Sequence, residues 1–110
     1  MSLRILALSG LALALGGCTT TTTPTNPLQA RWSGKPADTF FANYGPPIAD
    51  AAAPGGATLY TWRGGFARGK SCTVQLKVSR DYKILSIQTL SDRPDPKGGP
   101  THCERTLDAA

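Results

Sequence analysis

The chain contains little of what enzyme active sites commonly use. Its 110 residues include one histidine, His102, and three cysteines, Cys18, Cys72 and Cys103. A single histidine excludes sites built from several imidazoles, and the cysteines lack the Cys-x-x-Cys spacing of zinc and redox motifs. The sequence also lacks Gly-x-Ser-x-Gly, His-Glu-x-x-His and phosphate-binding glycine-loop motifs. We therefore predict that the protein is not an enzyme, and we expect no catalytic residue, cofactor site or metal site.

The polar side chains that could pair for catalysis are also poorly placed. His102 and Cys103 are neighbours, and in an extended segment consecutive side chains point to opposite faces. Asp92 and Asp95 lie in a proline-rich loop at 92–100, where aspartate is an ordinary turn residue. We expect neither pair to act as an acid, a base or a nucleophile.

Long apolar runs are absent as well. The apolar segment at 5–15 is shorter than the about 20 residues that a transmembrane helix needs, and Gly10 interrupts it. It follows Met1–Arg4, which carries one positive charge, and it precedes a threonine-rich stretch. A charged start, a short apolar core and small residues at its end are typical of an export signal.

The residues Leu15-Gly16-Gly17-Cys18 end this segment and resemble the lipobox of bacterial lipoproteins. The resemblance implies a signal peptide at 1–17 and a mature chain that begins with a lipidated (palmitate-bearing) Cys18. Simple secretion is the alternative, but no Ala-x-Ala-like site follows the apolar segment. Thr19 stands where aspartate favours inner-membrane retention in enterobacterial lipoproteins. We therefore expect a lipid anchor on the periplasmic face of the outer membrane, with the inner membrane as the alternative.

If Cys18 carries lipid, two cysteines remain in the exported part of the chain. Cys72 and Cys103 are then most simply a disulfide, because exported bacterial proteins meet an oxidising compartment. Such a bridge would stabilise the fold by roughly 3–4 kcal/mol on the chain-entropy model. A metal or redox pair is the alternative, which the spacing and the single histidine disfavour.

The mature chain divides into two parts by composition. Residues 18–30 are rich in threonine and proline and predict a lipidated tether without a core. Residues 31–110 are enough for one small domain. The whole chain has a net charge of +5 at pH 7, a weak bias toward anionic neighbours such as phospholipid headgroups. An ordinary basic surface is the simpler explanation of the charge.

The clearest helix signal lies within residues 32–47. Pro36 suits a first helical position, and Asp38 in the first turn complements the helix dipole. Gly45 and the two prolines after it predict the end of the helix. Four residues share one apolar face at helical spacing, which indicates a core, with an aromatic ligand shelf as the alternative. They are Ala37, Phe40, Phe41 and Tyr44.

Alternating apolar and polar residues predict strands after this helix. The expected strands cover residues 58–63, 72–79 and 84–90, with a flexible hairpin connection at 64–70. Residues 48–56 predict a connector that holds at most a short helix at 48–53. The expected fold is therefore α+β, with one main helix and at most a short second one on a three- to four-stranded antiparallel sheet.

Several residues resemble those of the small BamE-like (SmpA/OmlA) outer-membrane lipoproteins. They are Gly34, Asp38, Phe41, Tyr44-Gly45-Pro46-Pro47 and Tyr60-Thr61-Trp62. The likeness covers roughly residues 32–90, although family members usually have two helices before the sheet. It implies a non-enzymatic binding or scaffold accessory in outer-membrane assembly or maintenance, whose partner is an envelope protein or anionic lipid. A periplasmic inhibitor-like binding domain is the alternative.

The first hairpin supplies the candidate contact surface. Its residues are Trp62, Arg63, Phe66, Arg68 and Lys70. Arginine beside glycine also occurs in nucleic-acid-binding segments, but an exported lipoprotein meets little RNA. We therefore expect a protein or lipid partner and no nucleic acid.

Overall fold

The computed structural model describes residues 26–110 of the chain. The predicted signal peptide, the predicted lipidation site Cys18 and most of the predicted tether lie outside the described residues. Within 26–110, no helix has the length and apolar character needed to cross a membrane.

The described chain contains three short helices and one antiparallel sheet. The helices are α1 (Pro27–Trp32), α2 (Ala37–Tyr44) and α3 (His102–Thr106). The strands are β1 (Ala49–Ala52), β2 (Thr58–Ala67), β3 (Lys70–Val78) and β4 (Ile84–Ser91). They form a meander in the spatial order β1-β2-β3-β4, and each strand is antiparallel to its neighbour. The α+β class is as predicted, but three short helices replace the expected single main helix.

The central strand β3 has the alternation that its sequence predicts. Cys72, Val74, Leu76 and Val78 are fully buried, while the residues between them remain partly exposed. Across the sheet, Trp62 lies opposite Val74. One face of the sheet therefore carries the core, and the helices cover that face.

The domain begins before residue 31, which was the predicted boundary between tether and domain, because helix α1 is part of it. The Asn26 side chain accepts hydrogen bonds from the backbone N–H groups of Leu28 and Gln29, at 2.9 and 3.2 Å, and so caps the helix. Leu28 is 3% exposed and Trp32 is fully buried. The end of the predicted tether is therefore part of the domain. A helix of six residues is too short for its apolar spacing to stand out in the sequence.

The helix α2 begins and ends close to the predicted positions. Pro36 lies at its N-cap, one position earlier than predicted, and Gly45 ends it with φ of 100°. Ala37 and Phe40 are buried. The Phe40 ring contacts the rings of Trp32 and Trp62 edge-on, with centroids 5.2 and 5.7 Å apart. Such contacts add about 0.5–1.5 kcal/mol each beyond the burial of area.

Residues 48–56 form a strand and a turn, so the prediction of a connector with a short helix is wrong. Ala49–Ala52 is the edge strand β1, paired with β2, and Pro54–Gly56 is a 3₁₀ turn. Alanine is a weak strand former, so local propensity favoured the helical alternative. Pairing with the longer strand β2 overrides that preference.

The hairpin that joins β2 to β3 is tighter than the predicted flexible loop at 64–70. Strand β2 continues to Ala67 and β3 begins at Lys70, which leaves Arg68 and Gly69 in the turn. Both have positive φ, 49° and 76°, as a type I′ turn requires. The register shifts between Gly64 and Ala67, so the two strands form a bulge below the turn.

Strand β4 has two register irregularities, which explain its unclear sequence pattern. They fall between Thr73 and Val74 and between Lys77 and Val78 of β3. The bulges leave Leu85 and Leu90 of β4 exposed, at 51% and 52%. The residue Ile84 also bonds through its backbone to Gly34 and Lys35, so the segment before α2 covers this end of the strand.

The helix α3 was not predicted. Thr101 and Glu104 form a capping box, in which each side chain accepts a hydrogen bond from the other residue's backbone N–H. Leu107, just after the helix, is fully buried. The indole N–H of Trp32 donates to the carbonyl oxygen of Leu107 over 2.8 Å. The two ends of the described chain are therefore bonded to each other inside the core.

Candidate functional site

The prediction that Trp62 belongs to the contact surface is wrong. Trp62 is 3% exposed, and its indole N–H donates to the carbonyl oxygen of Tyr44 over 3.2 Å. Its position in β2 on the face that the helices cover makes it a core residue. Tyr60, two residues earlier in the strand, also packs against the core. The strand pattern in the sequence gave no sign of which face the helices cover.

The other four predicted residues lie around the hairpin turn. Phe66 is 68% exposed, and the Arg63 guanidinium lies 5.4 Å from the centre of its ring. Arg68 is exposed and Lys70 is partly exposed. An exposed aromatic ring among cations is a surface that suits contact with another molecule. We call these four residues the hairpin surface.

A cleft of about 580 Å³ lies beside the hairpin surface. Arg68 and Lys70 line it from the hairpin, Arg93 lines it from the loop after β4, and His102 and Arg105 line it from α3. Three prolines of the same loop, Pro94, Pro96 and Pro100, complete its wall. We call this space the basic cleft. Sequence reasoning missed Arg93, His102 and Arg105, because nothing local shows that they lie near the hairpin.

The disulfide between Cys72 and Cys103 is what brings these segments together. The two Cα atoms are 5.1 Å apart, and both residues are fully buried. The bond joins β3, near the hairpin, to the first turn of α3. The predicted pairing of these cysteines is therefore present, and it was the one signal in the sequence that could have placed His102 and Arg105 at the hairpin.

A second contact holds α3 against the hairpin. The Nε2 atom of His102 lies 2.6 Å from the carbonyl oxygen of Gly65. A carbonyl oxygen only accepts hydrogen bonds, so Nε2 carries the proton and donates it. Gly65 also lies against Thr106, whose side chain leaves no room for a Cβ atom there. His102 thus has a positioning role in this wall of the cleft.

The acidic residues near the basic cleft already have partners. The Asp92 carboxylate accepts from the backbone N–H groups of Arg93 and Cys103, at 2.7 and 2.8 Å. The Asp95 carboxylate accepts from the Lys97 backbone N–H and from Arg105, at 2.9 and 3.2 Å. The bond from the Lys97 backbone N–H is the main reason that the pKa of Asp95 lies below its usual value. These carboxylates shape the loop and leave the cations of the cleft largely uncompensated.

The chemistry that this arrangement supports is the binding of anions. In residues 26–110, no group of three or more His, Cys, Asp or Glu side chains could hold a metal ion. A scan of protein-family models, a search of curated proteins and a search of solved structures gave no match. The resemblance to BamE-like lipoproteins therefore stays a prediction.

Proposed function

We propose that this protein is a non-enzymatic lipoprotein of the bacterial envelope. In this proposal, lipid on Cys18 anchors it to the periplasmic face of the outer membrane. There it acts as a binding or scaffold accessory in outer-membrane assembly or maintenance, and its partner is an envelope protein or anionic lipid.

The observation that carries the proposal is the hairpin surface beside the basic cleft. Exposed Phe66 provides apolar contact area, and Arg63, Arg68 and Lys70 line the same groove and give it positive charge. A type I′ turn, a buried disulfide and the His102–Gly65 hydrogen bond fix this end of the domain. A rigid surface loses little conformational entropy when it binds a partner.

The expected anchor would keep this surface near the membrane. Asn26 is the first residue of the described domain, and it follows Cys18 by eight positions. A fully extended chain spans at most about 3.6 Å per residue, so those eight positions reach no more than about 30 Å. Membrane proteins and phospholipid headgroups are then within range of the domain.

Crosslinking in the native host tests the proposal. A photo-crosslinking amino acid replaces Phe66 in one strain and Leu85 in another, with fatty-acid labelling and membrane fractionation of both. Leu85 is a matched control because it is 51% exposed and lies near the Val78–Ile84 pair, at the opposite end of β3 from the hairpin. We expect fatty-acid label on the wild-type protein and none on C18A. We also expect an outer-membrane location, and an envelope partner that is captured from position 66 but not from position 85.

Two results would contradict the proposal. The first is an unlabelled protein that is free in the periplasm, which would exclude the lipid anchor. The second is a soluble, stoichiometric complex with a periplasmic hydrolase, captured from position 66, which would favour the inhibitor alternative.

A further inference from the structure

We propose that the basic cleft is a binding site for a phosphoryl group with two or more negative charges, that is, a phosphate monoester or a pyrophosphate. This inference rests on the proposed function in that it names a ligand class for the same end of the domain. It adds Arg93, which lies outside the predicted hairpin surface, to Arg68 and Lys70, and it is tested separately.

The charge of the cleft is the first argument. Four of the residues that line it are basic, and the one acidic residue among them is Asp95. Among residues 26–110, the only ion pair joins Arg105 to Asp95. Arg68, Lys70 and Arg93 therefore face the cleft region without an acidic partner in the described part of the chain. Three uncompensated cations favour a ligand with more than one negative charge.

The origin of these cations is the second argument. Arg68 belongs to the hairpin turn, Lys70 to the start of β3 and Arg93 to the loop after β4. Guanidinium groups present several N–H donors in a plane that matches the oxygen atoms of phosphate. Donors from three segments can surround a tetrahedral group, whereas a planar carboxylate offers fewer acceptors to them.

The rigidity of the cleft is the third argument. The Cys72–Cys103 disulfide and the His102–Gly65 hydrogen bond fix α3 against the hairpin. The prolines of the loop and the Asp92 hydrogen bonds to the backbone of Arg93 and Cys103 fix the opposite wall. A cleft that is formed before binding loses less entropy on binding than a flexible loop would.

The size of the cleft sets the class of ligand. Ligand pockets commonly measure about 300–1,000 Å³, and the cleft holds about 580 Å³. This volume exceeds the needs of a bare phosphate ion, so it leaves room for a second phosphoryl group or an organic substituent beside the proline wall. A free phosphorylated metabolite and a lipid with a phosphate-monoester headgroup share this chemistry.

Calorimetric titration of the purified full-length chain in detergent tests the site. The probes are pyrophosphate and glycerol 3-phosphate, titrated into the wild type and into two double variants. R68Q/R93Q removes two cations of the cleft, and K77Q/R80Q removes two cations that lie outside it. We expect binding that weakens at least tenfold in R68Q/R93Q and stays within twofold in K77Q/R80Q. Urea unfolding of each variant verifies that the fold is unchanged.

Vesicles distinguish the two sources of the phosphoryl group. Wild type and R68Q/R93Q are mixed with phosphatidylcholine vesicles that contain phosphatidate or phosphatidylglycerol at equal surface charge. Cleft-dependent preference for phosphatidate supports a lipid source. Binding of the soluble probes without that preference supports a free metabolite.

Two outcomes would overturn the inference. One is equal weakening in both double variants, which would indicate general attraction to a basic protein. The other is the absence of binding to both soluble probes and to phosphatidate. Neither outcome depends on crosslinking from position 66, so the proposed function can fail or hold independently of the cleft.

Discussion

Cys72 and Cys103 form a disulfide that closes a loop of 31 residues and fixes α3 beside the hairpin. Both cysteines are fully buried, so the bond lies inside the core. It also places Arg105 and His102 on the cleft that Arg68 and Lys70 line. One covalent link therefore supports both the stability of the domain and the shape of its basic cleft.

Removal of the disulfide should destabilise the domain strongly. In C72A/C103A, the unfolded chain regains the entropy of a 31-residue loop, and the free energy of unfolding should fall by roughly 3–4 kcal/mol. Urea unfolding measures this change. Wild type unfolded with a reductant present is the control and should lose a similar amount. A loss below about 1 kcal/mol in both would contradict the structural role of the bond.

Gly65 and Gly69 form a matched pair for testing the contact between α3 and the hairpin. Their φ values are 65° and 76°, so alanine at either position should cost roughly 1–2 kcal/mol in backbone strain. A Cβ at Gly65 would also lie 2.7 Å from Thr106 Oγ1, whereas no atom lies within 4 Å at Gly69. G65A should therefore cost about 1–3 kcal/mol more than G69A in urea unfolding. Equal costs would show that Thr106 of α3 does not pack closely against Gly65.

Leu28 tests whether the domain begins before residue 31. It is 3% exposed, so L28A should lower the free energy of unfolding by about 2–5 kcal/mol through the cavity that it leaves. The control is L90A, because Leu90 is 52% exposed and should change stability by less than about 0.5 kcal/mol. If the two variants are equally stable, residues 26–30 behave as a tether after all.

The environment of the Tyr44 hydroxyl predicts a loss of stability at alkaline pH. Its burial, and then its hydrogen bond to Asp108, raise the pKa of its hydroxyl above the usual value. The folded chain therefore keeps this proton at a pH where the unfolded chain releases it. The stabilising contribution is complete below about pH 10 and is lost as the pH rises above that value.

The comparison of Y44F with wild type isolates this effect. The free energy of unfolding is measured in urea from pH 8 to pH 11 at constant ionic strength. The difference between the two proteins should be constant at the lower pH values and should shrink above about pH 10. A difference that stays constant throughout would contradict the raised pKa of Tyr44.

The elements that the sequence predicted best are those whose own residues carry a complete pattern. Strand β3 alternates fully buried and partly exposed residues, as its sequence indicates. Pro36, Asp38 and Gly45 marked the ends of α2 to within a residue. The disulfide followed from the expected compartment of the chain and the count of its cysteines.

The elements that were missed depend on distant partners. Helices α1 and α3 contain six and five residues, too few to show a period, and burial against the sheet stabilises them. Strand β1 forms because β2 extends beside it. The cleft was missed for the same reason, since Arg93 and Arg105 approach the hairpin only when α3 is in place.

Charge reversal at the hairpin, measured by crosslinking in the native host, tests the central claim most directly. R63E/R68E/K70E changes the hairpin surface, and K77E/R80E/K83E applies the same change of charge toward the opposite end of β3. The measured quantity is the yield of the envelope partner captured from position 66. The account predicts that the first variant abolishes capture and the second preserves it. Equal yields from both variants would show that the hairpin is not the binding surface.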